Sequence, residues 1–424
     1  MLTVGSHIEG HCVDLDFQGQ GVIKHDGYVI FVKGLLEEEV AVIEITQLKK
    51  QFAEGKIIKL LKPSLQRVSD VSHLGSLDLK HVYPIKQLDW QIKTTKETIR
   101  KVAKMDVKVD HIITDNQTNH YRNKTVYHVM PQSFLKLGLY DDKHQLVPVD
   151  HFVLADKKTN DILKMISGWQ IRVDSNILKH VAIRTNPKGE ALVTLVATQS
   201  KFQGLEQLLE HLKTIEDLSG ITLNIKDQPT HILGSKSYTL FGDNRIIEPI
   251  LGYDIPINDR SFFQTNYPVM LMAYHYIKAH LPKGLSIIDA YSGVGSIGFF
   301  LSDVASKIQM IESNIENIQV AQEVIETYGL NHIEVIHGQA EKVVSSLEAD
   351  VLIVDPPRNG LMPELVFSMI EKPFKHLVYM SCDVKTLSRD LGLLQTAYSV
   401  EEVIPIKMFF HTTEMETLCF LKRK

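Results

Sequence analysis

IIDAYSGVGSIG, residues 287–298, is the stretch whose reading decides the fold. An apolar run ends at Asp289, and Gly293, Gly295 and Gly298 follow in G-x-G-x-x-G spacing before a helical segment. Glycines at this spacing allow a sharp turn and close approach of a ligand to the backbone, beside the free N–H groups of a helix start. Glu312, nineteen residues beyond Gly293, ends the next strand-like run, KIQMIES. A carboxylate there can accept hydrogen bonds from both ribose hydroxyls of a nucleoside.

Outward from this turn the rhythm is regular. The helical PVMLMAYHYIKAHL precedes it; a helix over about 314–328, IEVIHG, a short helix, DVLIVDPP, another helix and HLVYMSC follow. Strands alternating with helices predict an α/β, Rossmann-like, mostly parallel sheet. EEVIPIKMF and METLCFL have no helix between them, so the sheet is expected to end in an antiparallel hairpin. The turn alone suits a nicotinamide-dependent oxidoreductase as well as a methyltransferase. The second motif, DPPR, has no use in hydride transfer.

DPPR puts Asp355 at the C-terminal end of a buried strand, the edge where open α/β sheets bind ligands. Pro356 and Pro357 cannot continue the ladder and hold the chain extended. The next strand ends at Cys382, just ahead of an expected helix N-terminus. A helix start lowers a thiol's pKa, so Cys382 is a candidate nucleophile, with Lys385 and Arg389 adding to the effect and Asp383 opposing it. Cys12 and Cys419 lie among apolar residues and read as core. Thiolate addition to carbon-6 of a uracil activates carbon-5 for methylation, and a base must then remove the carbon-5 proton. Glu416 in HTTEMET is the candidate base, Glu414 a competitor and His411 an alternative proton carrier.

The first sixty residues alternate in short strands with glycine punctuation and read as a small β-barrel ending near Pro63. A helix follows from about Lys86 to Lys104; its basic face (Lys93, Lys96, Arg100, Lys101, Lys104) reads equally as solvated or RNA-facing. Residues 110–250 read as α+β, with strand-like TVYHVM, ALVTLVA and ITLNI and a helix around 204–213. The net charge of −5 neither supports nor excludes nucleic acid, because phosphate contacts need only a local basic surface. Three scattered cysteines argue against a disulfide framework, and nineteen histidines form no metal-ligand pattern. No apolar run approaches the roughly 20 residues that span a bilayer, and no basic start followed by an apolar stretch marks a signal peptide, so a cytoplasmic protein is expected.

Taken together, these motifs resemble the uracil-5 RNA methyltransferases, collinearly over nearly the whole chain. GQGVIKHDGYVIFVKGLLEEEVAVIEI resembles a TRAM barrel, HYRNKTVYHV the family's central domain, and SFFQTN (261–266) its glutamine motif. YSGVGSIG, DPPR, SCDVKTLSRDL and HTTEMET match its cofactor, acidic, nucleophile and base motifs. The resemblance implies S-adenosylmethionine as cofactor, bound by Gln264, Tyr291, Gly293, Gly295, Glu312 and Asp355, with Cys382 as nucleophile, Glu416 as proton acceptor and Asp355 at the reacting base. It implies a TRAM barrel over 1–62, a central RNA-binding region over 63–250 that includes the helix 86–105, and a methyltransferase domain over 251–424. It also implies an RNA partner, ribosomal (23S) favoured and transfer RNA the alternative, and a monomer off the membrane.

Two departures stand out. The stretch after the barrel, RVSDVSHLGSLDLKHV, has none of the clustered cysteines that hold an iron–sulfur cluster in many members, so no cluster is expected. Gln339 stands where the family usually has an acid after the third strand, so an adenine contact is expected either to be weaker there or to come from Glu341. A cytosine-5 enzyme is disfavoured by Arg358, which occupies the place of that family's cysteine.

Overall fold

The computed structural model describes residues 2–69 and 74–424; residues 70–73 of the polar stretch after the barrel lie outside the described residues. Five strands, β1 (His7–Leu15), β2 (Gly21–His25), β3 (Tyr28–Val32), β4 (Val40–Leu48) and β5 (Phe52–Lys62), close a barrel in the order β1-β2-β3-β5-β4. Alternation drives the closure: Cys12, Ile23, Ile30, Ala41, Ile43 and Ile45 point inward and are fully buried or nearly so. The chain leaving the barrel is clasped by Arg67, whose Nε and Nη2 both reach the buried carboxylate of Glu39 at 2.6 Å.

Helix α1 (Pro84–Val102) starts on a proline, whose fixed φ and missing N–H suit a first helical turn. It stops short of the expected Lys104, which turns into the left-handed region at φ 58°. On one side Trp90 Nε1 donates to the Asp16 carbonyl of the barrel at 2.9 Å, and Lys93 pairs with Asp14 at 2.7 Å. On the other side buried Gln91 donates to the Ile406 carbonyl at 3.0 Å, and the helix packs on α9 (Val384–Leu394). Part of the basic face is therefore used internally, Lys93 by the barrel and Lys101 by Glu97.

The central sheet contains β6 (Lys124–Val129), β7 (Leu137–Tyr140), β8 (Leu146–Pro148), β9 (Leu178–Thr185), β10 (Ala191–Ala197), β11 (Leu218–Ile225) and β12 (Lys236–Gly242), ordered β12-β11-β10-β9-β6-β7-β8. Helices α2 (Lys157–Gly168) and α3 (Leu205–Leu212) pack on it, α3 forming the crossover between the parallel pair β10 and β11. Every residue of β10 is buried, which explains the unbroken apolar run ALVTLVA.

A hairpin, β13 (Arg245–Ile250) and β14 (Tyr253–Asn258), and helix α4 (Tyr267–His280) lead into the last sheet. Its strands are β15 (Ser286–Ala290), β16 (Lys307–Glu312), β17 (Ile333–His337), β18 (Val351–Val354), β19 (His376–Ser381), β20 (Tyr398–Ile406) and β21 (Glu416–Arg423). The order is β17-β16-β15-β18-β19-β21-β20, parallel through β19, with β21 antiparallel to both its neighbours. Helices α5 (Ser296–Phe300), α6 (Ile315–Tyr328), α7 (Ala340–Val343), α8 (Pro363–Glu371) and α9 make the crossovers. The chain winds outward from β15 to β17, then returns to add β18 on the other side. That reversal opens a crevice above the carboxyl ends of β15 and β18. This is the expected Rossmann-like sheet with its terminal hairpin. No described helix is long and apolar enough to cross a membrane.

Candidate active site

The glycine turn begins where β15 ends. Tyr291 sits at φ 62°, an uncommon place for a residue with a side chain, and Gly293 and Gly295 follow at 57° and 87°. Gly295 and Gly298 are packing glycines, since a Cβ on either would stand within 2.7 Å of Met310 Sδ. Gly293 differs, because nothing lies within 4 Å of where its Cβ would be. Open space therefore adjoins the loop at the point of its backbone reversal. Glu312, at the end of β16, accepts the Gly293 N–H at 2.9 Å and those of Ser313 and Asn314 at 2.7 and 2.6 Å. Tyr291 donates its hydroxyl to Glu341 of α7 at 2.7 Å, which ties the turn to that helix.

Asp289, which composition and spacing did not single out, is the hidden member. It is buried in β15, accepts the Gly298 N–H at 2.9 Å through Oδ2, and leaves Oδ1 buried with no partner. Burial first, then the charges of Asp355 and Glu312, push its carboxyl up to about 7. An orphaned carboxylate oxygen, a glycine facing open space and a ribose-height glutamate together fit a nucleoside cofactor carrying positive charge.

Asp355 follows β18, and burial raises its carboxyl to about 7. Cys382 follows β19. Ser381 pairs with Thr417 across to β21, so one step further along the ladder Cys382 stands opposite Glu416. Glu416 is buried; its Oε2 has no partner, and burial followed by the charges of Asp355 and Glu414 raises its carboxyl well above the usual range. The competitor Glu414 is exposed and bound to Arg358 at 2.8 Å. His411 is a fastener instead: Gln87 reaches its Nδ1 at 3.1 Å and Asn119 its Nε2 at 3.2 Å. Burial lowers the His411 ring to about 4, so it is neutral.

The thiol corrects one expectation. Burial, then the charges of Glu416 and Asp355, push Cys382 up to about 12, and the opposing pull of Arg358 is weaker. The helix start does not reverse this, because Asp383 takes the first free N–H groups, those of Lys385 and Thr386, at 2.9 and 2.8 Å. The two cations expected to help are also engaged elsewhere. Lys385 lies over the Phe17 ring at 3.1 Å, and Arg389 binds Asp390 and two carbonyls. Cys12 and Cys419 are fully buried, with their thiols raised by desolvation.

A cavity of about 190 Å³ opens over Cys382, lined by Arg358, Glu414 and Lys385 and, from the barrel, Phe17 and Gln18. The barrel loop is fixed there, since Asp16 Oδ1 accepts the N–H groups of Gln18 and Gln20 at 2.9 and 2.8 Å.

Gln264 is buried, and its loop is held by the central sheet. The Asn123 N–H reaches Thr265 O at 2.9 Å, Lys124 Nζ reaches Asp259 O at 2.9 Å, and Arg184 Nη2 reaches Ser261 O at 2.7 Å. Asn266 then caps α4. Sequence reading found Gln264 only through the resemblance; Asn123, Lys124 and Arg184 carried no local signal, since their role depends on a contact between sheets.

The profile of the tRNA (uracil-5-)-methyltransferase family matches residues 86–424, and that of the TRAM domain matches residues 4–58. The chain is similar to an uncharacterised RNA methyltransferase of Caldanaerobacter subterraneus subsp. tengcongensis, 30% identical over 100% of this chain and 99% of that one. It is also similar to one of Oceanobacillus iheyensis, 32% identical over 97% and 95%. Among solved structures, the tRNA (uracil-54, C5)-methyltransferase of Pyrococcus abyssi in complex with S-adenosyl-L-homocysteine superposes with a TM-score of 0.78 at 22% identity, covering 98% of this chain and 100% of that one. At that identity it shares the fold.

Proposed function

We propose, for a chain that belongs to the tRNA (uracil-5-)-methyltransferase family and is thereby an S-adenosylmethionine-dependent RNA methyltransferase, that it methylates carbon-5 of a uridine through a covalent adduct on Cys382. The family sets aside the nicotinamide alternative. The observation that carries the reading is the placing of Cys382 opposite Glu416 on one ladder, with Asp355 ending the next strand, under a cavity open to the barrel.

Glu312, Gly293, Tyr291, Gln264 and Asp355 are the residues that would hold the cofactor. When bound it supplies an electrophilic methyl group and a positive charge to a site otherwise made of acids. Cys382, its proton lost to solvent, adds Sγ to carbon-6, and the carbon-5–carbon-6 π pair moves onto the uracil O4 as an enolate. Carbon-5 would then take the methyl group, the pair of the broken carbon–sulfur bond staying on the cofactor's sulfur. Glu416, deprotonated, accepts the carbon-5 proton; the returning pair expels the Cys382 thiolate and restores the ring. A buried base with no hydrogen bond on one oxygen is suited to this step, because nothing competes with the carbon-bound proton. Asp355 orients the base at the rigid Pro-Pro edge. Arg358 is placed to neutralise charge at the cleft mouth.

Nucleoside mass spectrometry after incubation with unmodified ribosomal and transfer RNA tests the reading. A cofactor-dependent gain of 5-methyluridine in one RNA class supports it and identifies the substrate, with ribosomal RNA the first class to try. Methylation of another base, or none in either class, overturns it.

A further inference from the structure

The central sheet carries a cavity of about 500 Å³ that shares no lining residue with the one over Cys382 and that the methyl transfer does not use. His128 and His180 face each other across β6 and β9, with ring centroids 4.8 Å apart, and Tyr140 packs edge-on against His128, also at 4.8 Å. Lys179 and Lys226 stand at the rim beside Asn176. Among the described residues that line it, the one acid, Asp227, is occupied by the Ser235 N–H and hydroxyl at 3.1 and 2.6 Å. His180 is itself more than nine-tenths buried, and its Nδ1 has no partner.

We infer that this cavity binds an unpaired nucleotide of the RNA substrate, outside the one that is methylated, its base against His128, His180 and Tyr140 and its phosphate against Lys179 and Lys226. The inference rests on the RNA-modifying reading. The cavity volume is that of a small-ligand site. Its rings are neutral and apolar in character: desolvation, then neighbouring cations, hold His180 down to about 4 and lower His128 as well. Such rings are stacking platforms for bases, which have a π-face whatever their identity. The two ammonium groups are anchored by backbone carbonyls, Lys179 by Ser175 at 3.2 Å and Lys226 by Pro229 and His231, and each keeps an N–H with which to meet a phosphate. The position also fits. β6 begins at Lys124, which holds the Gln264 loop, and reaches His128 four residues later, roughly 13 Å along the strand. The cavity thus lies on the strand whose first residue braces the Gln264 loop.

The test is fluorescence anisotropy with labelled, unmodified ribosomal RNA fragments and transfer RNA transcripts on the full chain. Tyr140→Ala removes an exposed ring and Lys179→Glu changes a partly exposed side chain, so the fold is expected to survive, which thermal melting and S-adenosylmethionine titration check. Each variant is expected to bind the preferred RNA about tenfold more weakly, with cofactor affinity unchanged. RNA affinity within twofold of wild type in both variants overturns the pocket while leaving the methyl transfer standing. Weakened binding in a chain that makes no 5-methyluridine keeps the pocket and overturns the chemistry.

Discussion

Two glutamates two residues apart separate by environment. Glu416 is buried with an orphaned oxygen, whereas Glu414 is spent on Arg358 at the surface. Glu416→Gln is expected to form the adduct and release RNA slowly, seen as a methylated protein–RNA band on denaturing gels. Glu414→Gln is expected to lose less than about tenfold in turnover, as for an exposed ion pair. Equal loss in both would remove the distinction. Sequence left these two carboxylates and His411 open, because polarity alone does not reveal which side chain is buried. Lys407 is a second example. It is fully buried without a hydrogen bond, and desolvation lowers it from 10.5 to about 7. A base with a depressed folded pKa costs stability fully below about pH 7, and the cost vanishes as pH rises to the unfolded value. Lys407→Met is therefore expected to raise Tm by several degrees at pH 7, with the gain shrinking toward pH 10.5. A gain independent of pH would contradict this.

At the level of elements, the glycine turn, the DPPR edge and the Cys382 strand end were legible because each is a local pattern: apolar run, breaker, polar residue at a sheet edge. Gly295→Ala tests the turn. A Cβ there meets Met310 and Phe299 at 2.7 and 2.8 Å on a backbone at φ 87°, so stability is expected to fall by about 1–3 kcal/mol in urea denaturation, with S-adenosylmethionine binding weakened. Wild-type stability would show that the loop adapts. The thiol's protonation was not legible. Helix position suggested a low pKa, but burial first and then two buried acids raise it, while the N-cap Asp383 consumes the helix donors. The central sheet was legible only as strands: β10 and β11 are parallel through a crossover, and pairing between distant segments leaves no periodic mark.

Across the whole molecule, three units converge on one cleft. The barrel contributes Phe17 over the Cys382 cavity, α1 joins the barrel to the last sheet, and the central sheet holds the Gln264 loop. Phe17→Ala is expected to raise the KM for RNA several-fold with cofactor affinity unchanged, since an exposed aromatic at a nucleic-acid cleft acts on the base and not on the nucleoside cofactor. Steady-state kinetics against RNA concentration check it, and a change in kcat alone would reassign Phe17 to the chemistry. The central claim is the bond between Cys382 and a uracil ring. Its most direct measurement is incubation with S-adenosylmethionine and RNA containing 5-fluorouridine, ribosomal first and transfer next, on a denaturing gel beside Cys382→Ala. Fluorine at carbon-5 does not leave as a proton does, so the account predicts a shifted band that needs both the cofactor and Cys382. No band with either RNA, or one that persists in Cys382→Ala, would contradict it.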